Sequence, residues 1–558
     1  MVAILNKHEI KKGKLFDVIM LAINVICFLF GILYLFFGKD NNFWNIYGYL
    51  MLTAFIGNIA LAFMEEKNKK IAYLYLVLTS LWMLLLPLIN TVVSSIPTNQ
   101  KSQSNFSVVF ILSLFLIGGN IAANNIFGKE KEEGKPIASP IPEKLRGIRR
   151  YAIRTIMALL TGCLFCGIFI VLDLLRENKE GFSEVFVPEY SLFYGLSFLS
   201  LGTFIRKYLG TEKLFVFRSI VLTVSMGIFM VSMLPLVSIP LLLKNAKNTY
   251  TEAFGTDFLS NPLYTTNEFR QVPFSLPQYF YGISSGDYMV QENILYYEGK
   301  SGVDKGIKLY FDAYVPTRDA SELPGGNSVL IRIHGGGWTI GDKGALNFAQ
   351  MNKYFAKQGY IVFDIQYGLN NLDKLIDFVP VDTTRQGSFT IDDMVRHIGL
   401  FTDYLVDHQK EYHANLDSVF LSGGSAGGHL SLASGLAFGS GKYSDILNPR
   451  VTVKGLIPFY PSNGMSRILG IEGRNEFVDP SLLVTKDSPP CLIYQGSHDG
   501  VVDPLISKEF RDEYLTNGNS ACALISMPFG GHGSDLYFAG YYNQVFLYYM
   551  ERFMYQYR

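Results

Sequence analysis

Cysteine is scarce, with five residues in 558. Cys27, Cys163 and Cys166 fall inside apolar runs, where a small packing side chain is expected, and a Cys-x-x-Cys pair with no further Cys or His nearby is not a metal signature. Cys491 and Cys522 each open an apolar, strand-like run, so a disulfide between them is geometrically allowed but not implied. Net charge is lacking too: the formal total is zero. It conceals a positive first half and a negative second half, but neither clusters basic residues as nucleic acid would require. Long uncharged runs are missing after Leu243, whereas before it they recur every few tens of residues. The chain therefore exceeds one core and divides into an apolar part, 1–243, a polar and aromatic connector, 244–287, and a mixed-composition part, 288–558.

In the first part, residues 18–37 carry no charge and would span roughly 30 Å as a helix, the hydrocarbon thickness. Lysines precede this run as in a signal peptide, but no small-residue cleavage site follows, so it reads as an uncleaved first span. Further runs lie at 43–64, 71–96, 106–127, 155–172, 190–205 and 219–243, which makes seven spans, 190–205 being the shortest. Lys and Arg gather in the amino-terminal tail and in 65–70, 128–150 and 206–213, while the alternate connections carry only Lys39, Lys101, Arg176 and Lys179. The amino terminus is therefore expected in the cytoplasm, and an odd number of crossings puts everything after Leu243 outside. With six crossings the second half would move inside. Asn24, Asn58, Asn90, Asn120 and Asn124 lie within spans, where interhelical hydrogen bonding is the ordinary role and a substrate path the alternative.

From Tyr288 onward, strands and helices alternate. Residues 288–297 and 307–315 read as half-exposed paired strands, and 329–333 as a buried strand. A helix at 345–357, a strand at 360–367 and a long helix at 392–413 lead to a strand at 418–421. Short apolar runs at 453–459, 491–494 and 522–527 follow. Such alternation implies a largely parallel, doubly wound sheet with ligands at the carboxyl ends of its strands.

Two glycine-rich strand ends stand out. His334-Gly335-Gly336-Gly337-Trp338 closes one strand with a backbone free of Cβ, able to aim amide N–H groups at one point. Gly423-Gly424-Ser425-Ala426-Gly427 lies between a strand and a helical run, the setting of a sharp turn that exposes a serine oxygen. A serine nucleophile needs a base. Of the eight histidines, His8 is in the tail, His334 fixes the glycine turn, and His397, His408 and His413 belong to the long helix. His429 follows the serine by four helical positions and His498 adjoins the candidate acid, which leaves His532 in Gly530-Gly531-His532-Gly533. The acid is expected between Ser425 and His532 after a strand: Asp499 first, with Asp503 as the alternative and a natural helix cap.

These motifs resemble the α/β-hydrolase carboxylesterases, in particular the branch that includes isoprenylcysteine methylesterase-like and hormone-sensitive-lipase-like enzymes. The matching residues are His334 to Trp338, Gly341-Asp342-Lys343, Gly423 to Leu430, Gly496 with Asp499, and His532. The resemblance implies oxyanion donors at the N–H groups of Gly336, Gly337 and Ala426. It covers a little over half the chain and says nothing of the membrane half. Two departures matter: Asp364-Ile365-Gln366-Tyr367-Gly368 lacks the Tyr-Arg-Leu often found there, and 369–390 is longer than usual.

The expected architecture is thus an α/β hydrolase fused to an all-α membrane domain of about seven helices. The expected activity is cleavage of carboxylic esters by Ser425, His532 and Asp499 without metal or organic cofactor. Its substrate would be an ester of a lipid or an acylated glycan beside membrane lipid. Acyl transfer from a lipid-linked donor and a non-enzymatic sensor on a hydrolase fold are the alternatives; the complete Ser-Asp-His set argues against the sensor. The segments 369–390 and 462–490, the latter with Met465, Ile468, Leu469 and Ile471, are expected to shape the pocket as lid or as core.

Overall fold

The computed structural model describes residues 2–37, 41–98, 104–128, 143–176, 186–209, 214–257, 264, 266–374 and 379–558. Most of the basic connection expected over 128–150, the end of 206–213 and part of the first pocket segment lie outside them, as do Lys39, Lys101 and Lys179. The amino-terminal half is a helical bundle: α1 (Val2–Phe37), α2 (Asn42–Met64), α3 (Lys69–Ser95), α4 (Ser104–Phe127), α5 (Glu143–Leu175), α6 (Ser191–Tyr208), α7 (Phe215–Ser232) and α8 (Leu234–Phe254). Among the described residues, six stretches are long and apolar enough to cross a membrane: Lys14–Phe37, Asn42–Met64, Lys69–Ser95, Phe106–Phe127, Tyr151–Leu175 and the continuous Phe215–Phe254. The remaining expected span, α6, is a helix that falls outside those six. It is buried along most of its length and runs the height of the bundle. Its first residues lie beside Tyr279, and Lys207 near its end donates to the carbonyl of Phe63 (2.9 Å) at the other end of α2. A helix shielded by its neighbours needs less apolar surface than one facing lipid.

The boundary expected between Leu243 and Lys244 falls inside α8. Lys244 and Lys247 gave that stretch a connector's composition, yet Ala246, Tyr250 and Phe254 recur at four-residue spacing and bury one helical stripe. Tyr250 packs on Tyr549 and Phe254 on Phe553, each with ring centroids 5.1 Å apart. A short helix, α9 (Leu276–Tyr281), then wedges against α2, where Pro277 closes on Gly48.

The second half is built on eight strands: β1 (Tyr288–Glu298), β2 (Lys308–Pro316), β3 (Ser328–Ile333), β4 (Ile361–Ile365), β7 (Asn415–Gly424), β8 (Val453–Phe459), β9 (Cys491–Gly496) and β10 (Cys522–Met527). Their order is β1-β2-β4-β3-β7-β8-β9-β10; β1 and β2 pair antiparallel, β2 meets β4 antiparallel, and the rest are parallel. Two-residue strands β5 (Leu369–Asn370) and β6 (Gln386–Gly387) form a separate ladder. Cys491 and Cys522 face each other in register across β9 and β10 as free thiols, so the allowed disulfide is not made.

Helices α10 (Ala349–Lys357) and α14 (Tyr541–Tyr557) cover one face of the sheet; α11 (Ile391–Asp407), α12 (Ala426–Ser440) and α13 (Pro504–Thr516) cover the other. The parallel strands bury both faces, which is why they read as continuous apolar runs. The fold is an α/β hydrolase joined to an all-α bundle.

Candidate active site

Register brings the motifs together. Ile333 of β3 pairs with Gly423 of β7, and Gly424 pairs with Phe459 of β8. His334, Ser425 and Tyr460 therefore leave the sheet at one level, at the carboxyl ends of adjacent strands. Gly496 and Met527 end β9 and β10 in register, and the loops bearing Asp499 and His532 follow them.

Ser425 has φ 56° and ψ −121°, a conformation that side chains rarely adopt. It is held there from both sides: its N–H donates to Phe459 O (2.9 Å) and its carbonyl accepts from His429 N (2.9 Å), which starts α12. Gly427 permits the turn, since a Cβ there would stand 2.1 Å from Ile333 O. The glycine turn after β3 lies directly on this elbow, because a Cβ at Gly335 would be 2.7 Å from Gly424 O and 3.4 Å from Ser425 Cβ. Gly336 and Gly337 have φ of 110° and 57°. Among the described residues, none accepts from the N–H groups of Gly336, Gly337 or Ala426.

The structure pairs His532 with Asp499, at 3.0 Å between Nδ1 and Oδ2. Asp499 is fully buried and anchored on both oxygens: Oδ1 accepts from Val501 N (3.0 Å) and Val502 N (2.8 Å), and Oδ2 also accepts from Gln495 Nε2 (3.0 Å). Gln495 is in turn fixed by Ser507 (2.7 Å). With a carboxylate as acceptor, Nδ1 carries the proton and Nε2 is left as the basic nitrogen. Asp503 is elsewhere occupied, capping α13 through Leu505 N at 2.9 Å.

Two histidines beside the elbow have structural partners. His334 is buried with its ring stacked on Tyr367 at 4.4 Å; burial, helped by the charge of Arg385, pushes it down to about 4. His429 bonds the carbonyls of Phe477 (2.8 Å) and Val478 (3.0 Å) beneath the elbow, and burial lowers it to about 4 as well. Trp338 meets the His429 ring edge-on at 5.3 Å. Where the Tyr-Arg-Leu is missing, Asp364 takes donors from Gly344 N, Asn347 and Asn352, tying the Gly341-Asp342-Lys343 turn to β4.

Two neighbours escaped the sequence reading. Tyr460, at φ 37°, packs on the His532 ring with centroids 4.5 Å apart, and its hydroxyl would be 3.0 Å from a Cβ at Gly424. It thus touches both the elbow and the histidine. Its hydroxyl donates to Asp535 Oδ1 at 2.7 Å, and burial raises the Asp535 carboxyl. The only sequence cue was position, one residue beyond a strand and three beyond His532. The two pocket segments do meet, since a Cβ at Gly470 would lie 3.6 Å from Leu372 Cδ1, and Ile468 stays 78% exposed at their edge.

The bundle reaches the same neighbourhood. Asp173, Leu174, Arg176, Val187 and Pro188 close a narrow gap against His498, Phe529 and Gly531, the residue before the histidine.

Parts of this chain are similar to known proteins. The BD-FAE family model matches residues 311–476. The probable carboxylic ester hydrolase LipM of Mycobacterium tuberculosis is 23% identical over 237 residues, 38% of this chain and 51% of that protein. Esterase LipC of the same organism is 23% identical over 241 residues, 37% of this chain and 53% of its own. The chain thus spans about half the length of the curated relatives it matches. Esterase B of Lactobacillus rhamnosis, solved with a tributyrin phosphonate inhibitor, is 20% identical, covers 45% of this chain and 79% of its own, and has a TM-score of 0.35.

Proposed function

We propose that the chain is a membrane-embedded serine hydrolase that cleaves carboxylic esters on the extracytoplasmic side. The observation that carries this reading is the His532–Asp499 pair, 3.0 Å apart, on the same rim of strand ends as the strained Ser425. The names of the two curated relatives support ester hydrolysis, and the motifs keep it within the isoprenylcysteine methylesterase-like and hormone-sensitive-lipase-like branch.

In this mechanism Ser425 Oγ attacks the ester carbonyl carbon as His532 Nε2 takes its proton, and Asp499 stabilises the imidazolium. The carbonyl oxygen gains the charge and is held by the N–H groups of Gly336, Gly337 and Ala426, each donor being worth about 10² to 10³ in rate. Collapse expels the alcohol, which takes the proton back from His532. Water, deprotonated by the same histidine, then releases the acid and regenerates Ser425. These steps use no cofactor, and the substrate is an ester of a lipid or an acylated glycan at the bilayer surface.

Two features of the bundle support the outer placement. Asn45 of α2, residues 96–97 after α3 and Glu189 before α6 all touch the hydrolase half or the segment leading into it. Lys207 and Glu66, from basic connections, meet at the other end. Full-length protein with Ser425→Ala is expected to lose all labelling by a fluorophosphonate probe; full labelling would end the serine-hydrolase reading. Protease added to intact cells is expected to cut the hydrolase half, and complete protection would place it inside. Esters of increasing acyl length then sort deacetylation from lipid hydrolysis.

A further inference from the structure

The loop that bears His532 does not end in the hydrolase half. Between β10 and α14 the chain forms neither helix nor strand, and Tyr537, five residues beyond His532, enters the bundle. Its ring packs against Tyr190 (5.2 Å), Tyr279 (5.5 Å) and Phe193 (5.9 Å). Its hydroxyl donates to Tyr279 O (2.5 Å) and accepts from Asn90 Nδ2 (3.1 Å). Asn90 lies in α3, one turn beyond Pro87, and is 2% exposed. Asn90 is itself fixed, since its Nδ2 also donates to Phe280 O (3.3 Å) and its Oδ1 accepts from Ser107 of α4 (2.7 Å).

Asn24 and Asn58 provide the contrast. They bond each other reciprocally at 2.7 Å and serve the bundle alone. Asn90 instead joins α3, α4 and α9 to the loop of the proposed base. On the hydrolase side that loop is held by Asp535 on Tyr460 (2.7 Å) and Ser534 on Tyr494 (2.8 Å). His532 is therefore suspended between two sets of anchors, one of which is a membrane helix.

We infer that the bundle is a working part of the active site: Asn90, through Tyr537, is a positioning residue that sets where His532 stands. This rests on the assignment of His532 as the base. The hydroxyl of Tyr537 fixes the loop's far end, and a shift of about 1 Å in a reacting group can lower a rate by up to about 10²-fold. Neither residue touches the reacting atoms, so their loss slows the chemical step without altering ester binding.

The test uses full-length protein in lipid nanodiscs with p-nitrophenyl butyrate as substrate. Tyr537→Phe, which keeps the ring, and Asn90→Ala are each expected to lower kcat about tenfold or more with KM unchanged. Both should slow fluorophosphonate labelling by the same factor and shift the acid limb of the kcat/KM pH profile. The double variant should be no slower than the slower single one, because both act through one link. Asn58→Ala, in the other asparagine pair, should keep the parental kcat. Parental kcat in Tyr537→Phe and Asn90→Ala would overturn the inference, as would an equal fall in Asn58→Ala at equal folded yield. If Asn90→Ala does not fold, Tyr537→Phe decides alone. Activity retained in Ser425→Ala would remove the hydrolase reading itself. An inert Ser425→Ala beside fully active Asn90 and Tyr537 variants would remove only the positioning role.

Discussion

One face of the sheet packs Ile331, Phe363 and Leu421 against α11 and α12 and ends in solvent. The other packs Leu330, Phe420 and Tyr494 against α10 and α14 and continues without a break into Tyr47, Phe55 and Phe193 of the bundle. The strands themselves hold no sign of this difference, since both faces are apolar. The helices do. Helix α11 is amphipathic, with Ile398, Phe401 and Leu405 buried and Asp403 and Asp407 exposed, as befits one wet side. Helix α14 is buried almost all round, to the point of enclosing Glu551 and Arg552. A helix with no wet side has a second partner, and here that partner includes α8. Ser425 begins a helix of the solvent-side core, whereas the loop of His532 leads into a helix of the fused core, so the proposed nucleophile and base come from opposite sides of the seam between the two.

The sharpest break of that seam is chemical. Asp499→Asn leaves the loop geometry but removes the charge behind His532, and kcat should fall about 10⁴-fold with KM little changed, read by single-turnover kinetics. Next in size are matched core truncations. Phe401→Ala on the solvent side and Phe546→Ala on the fused side should each cost about 3–5 kcal/mol, measured by denaturant unfolding. Only Phe546→Ala should also expose the 528–541 loop to protease, because only that side carries the loop.

Proton linkage should separate the cores in opposite directions. His334 and His429 are held near 4 by burial, below the unfolded value of about 6.5. The unfolded chain binds more protons in that window, so their contribution is complete above pH 6.5 and is lost as pH falls toward 4. Glu189 and Glu551, in the fused region, are raised by burial, and no other described residue hydrogen-bonds the Glu189 carboxyl. There the folded chain binds more protons, so stability declines as pH rises above the ordinary glutamate range. Glu189→Gln should therefore raise the melting temperature at pH 8 and hardly change it at pH 4.5. The smallest effect belongs to neither core: Lys508→Ala, which breaks the exposed pair with Asp512, should shift stability by less than about 0.5 kcal/mol.

Much of the hydrolase half was legible in the sequence because its signals are local. An apolar run ending in glycines, a serine between small residues and an acid after a strand each occupy a handful of positions. The same holds for Asp503, whose place before Pro504 marked it as a cap. What stayed hidden depends on contacts between distant segments. Nothing near Tyr460 announces Asp535, and Asn90 was visible as a polar residue in a span while its partner, 447 positions away, was not. The continuation of α8 was legible in principle, since residues 246, 250 and 254 keep helical spacing, but two lysines masked it.

Helix α6 bears on how the molecule is made. It ends in Arg206 and Lys207 and is less apolar than the six membrane-competent stretches, yet it lies packed against α3 and α7 inside the bundle. A segment of that kind is a weak insertion signal by itself, and here hydrogen bonds such as Ser200 Oγ to Leu76 O (2.9 Å) and the close fit of Gly202 on Ser225 join it to its neighbours. In the proposed membrane topology, the side on which the hydrolase half is delivered would then be decided by helix assembly, after α3 is in place, rather than by the order in which apolar segments emerge.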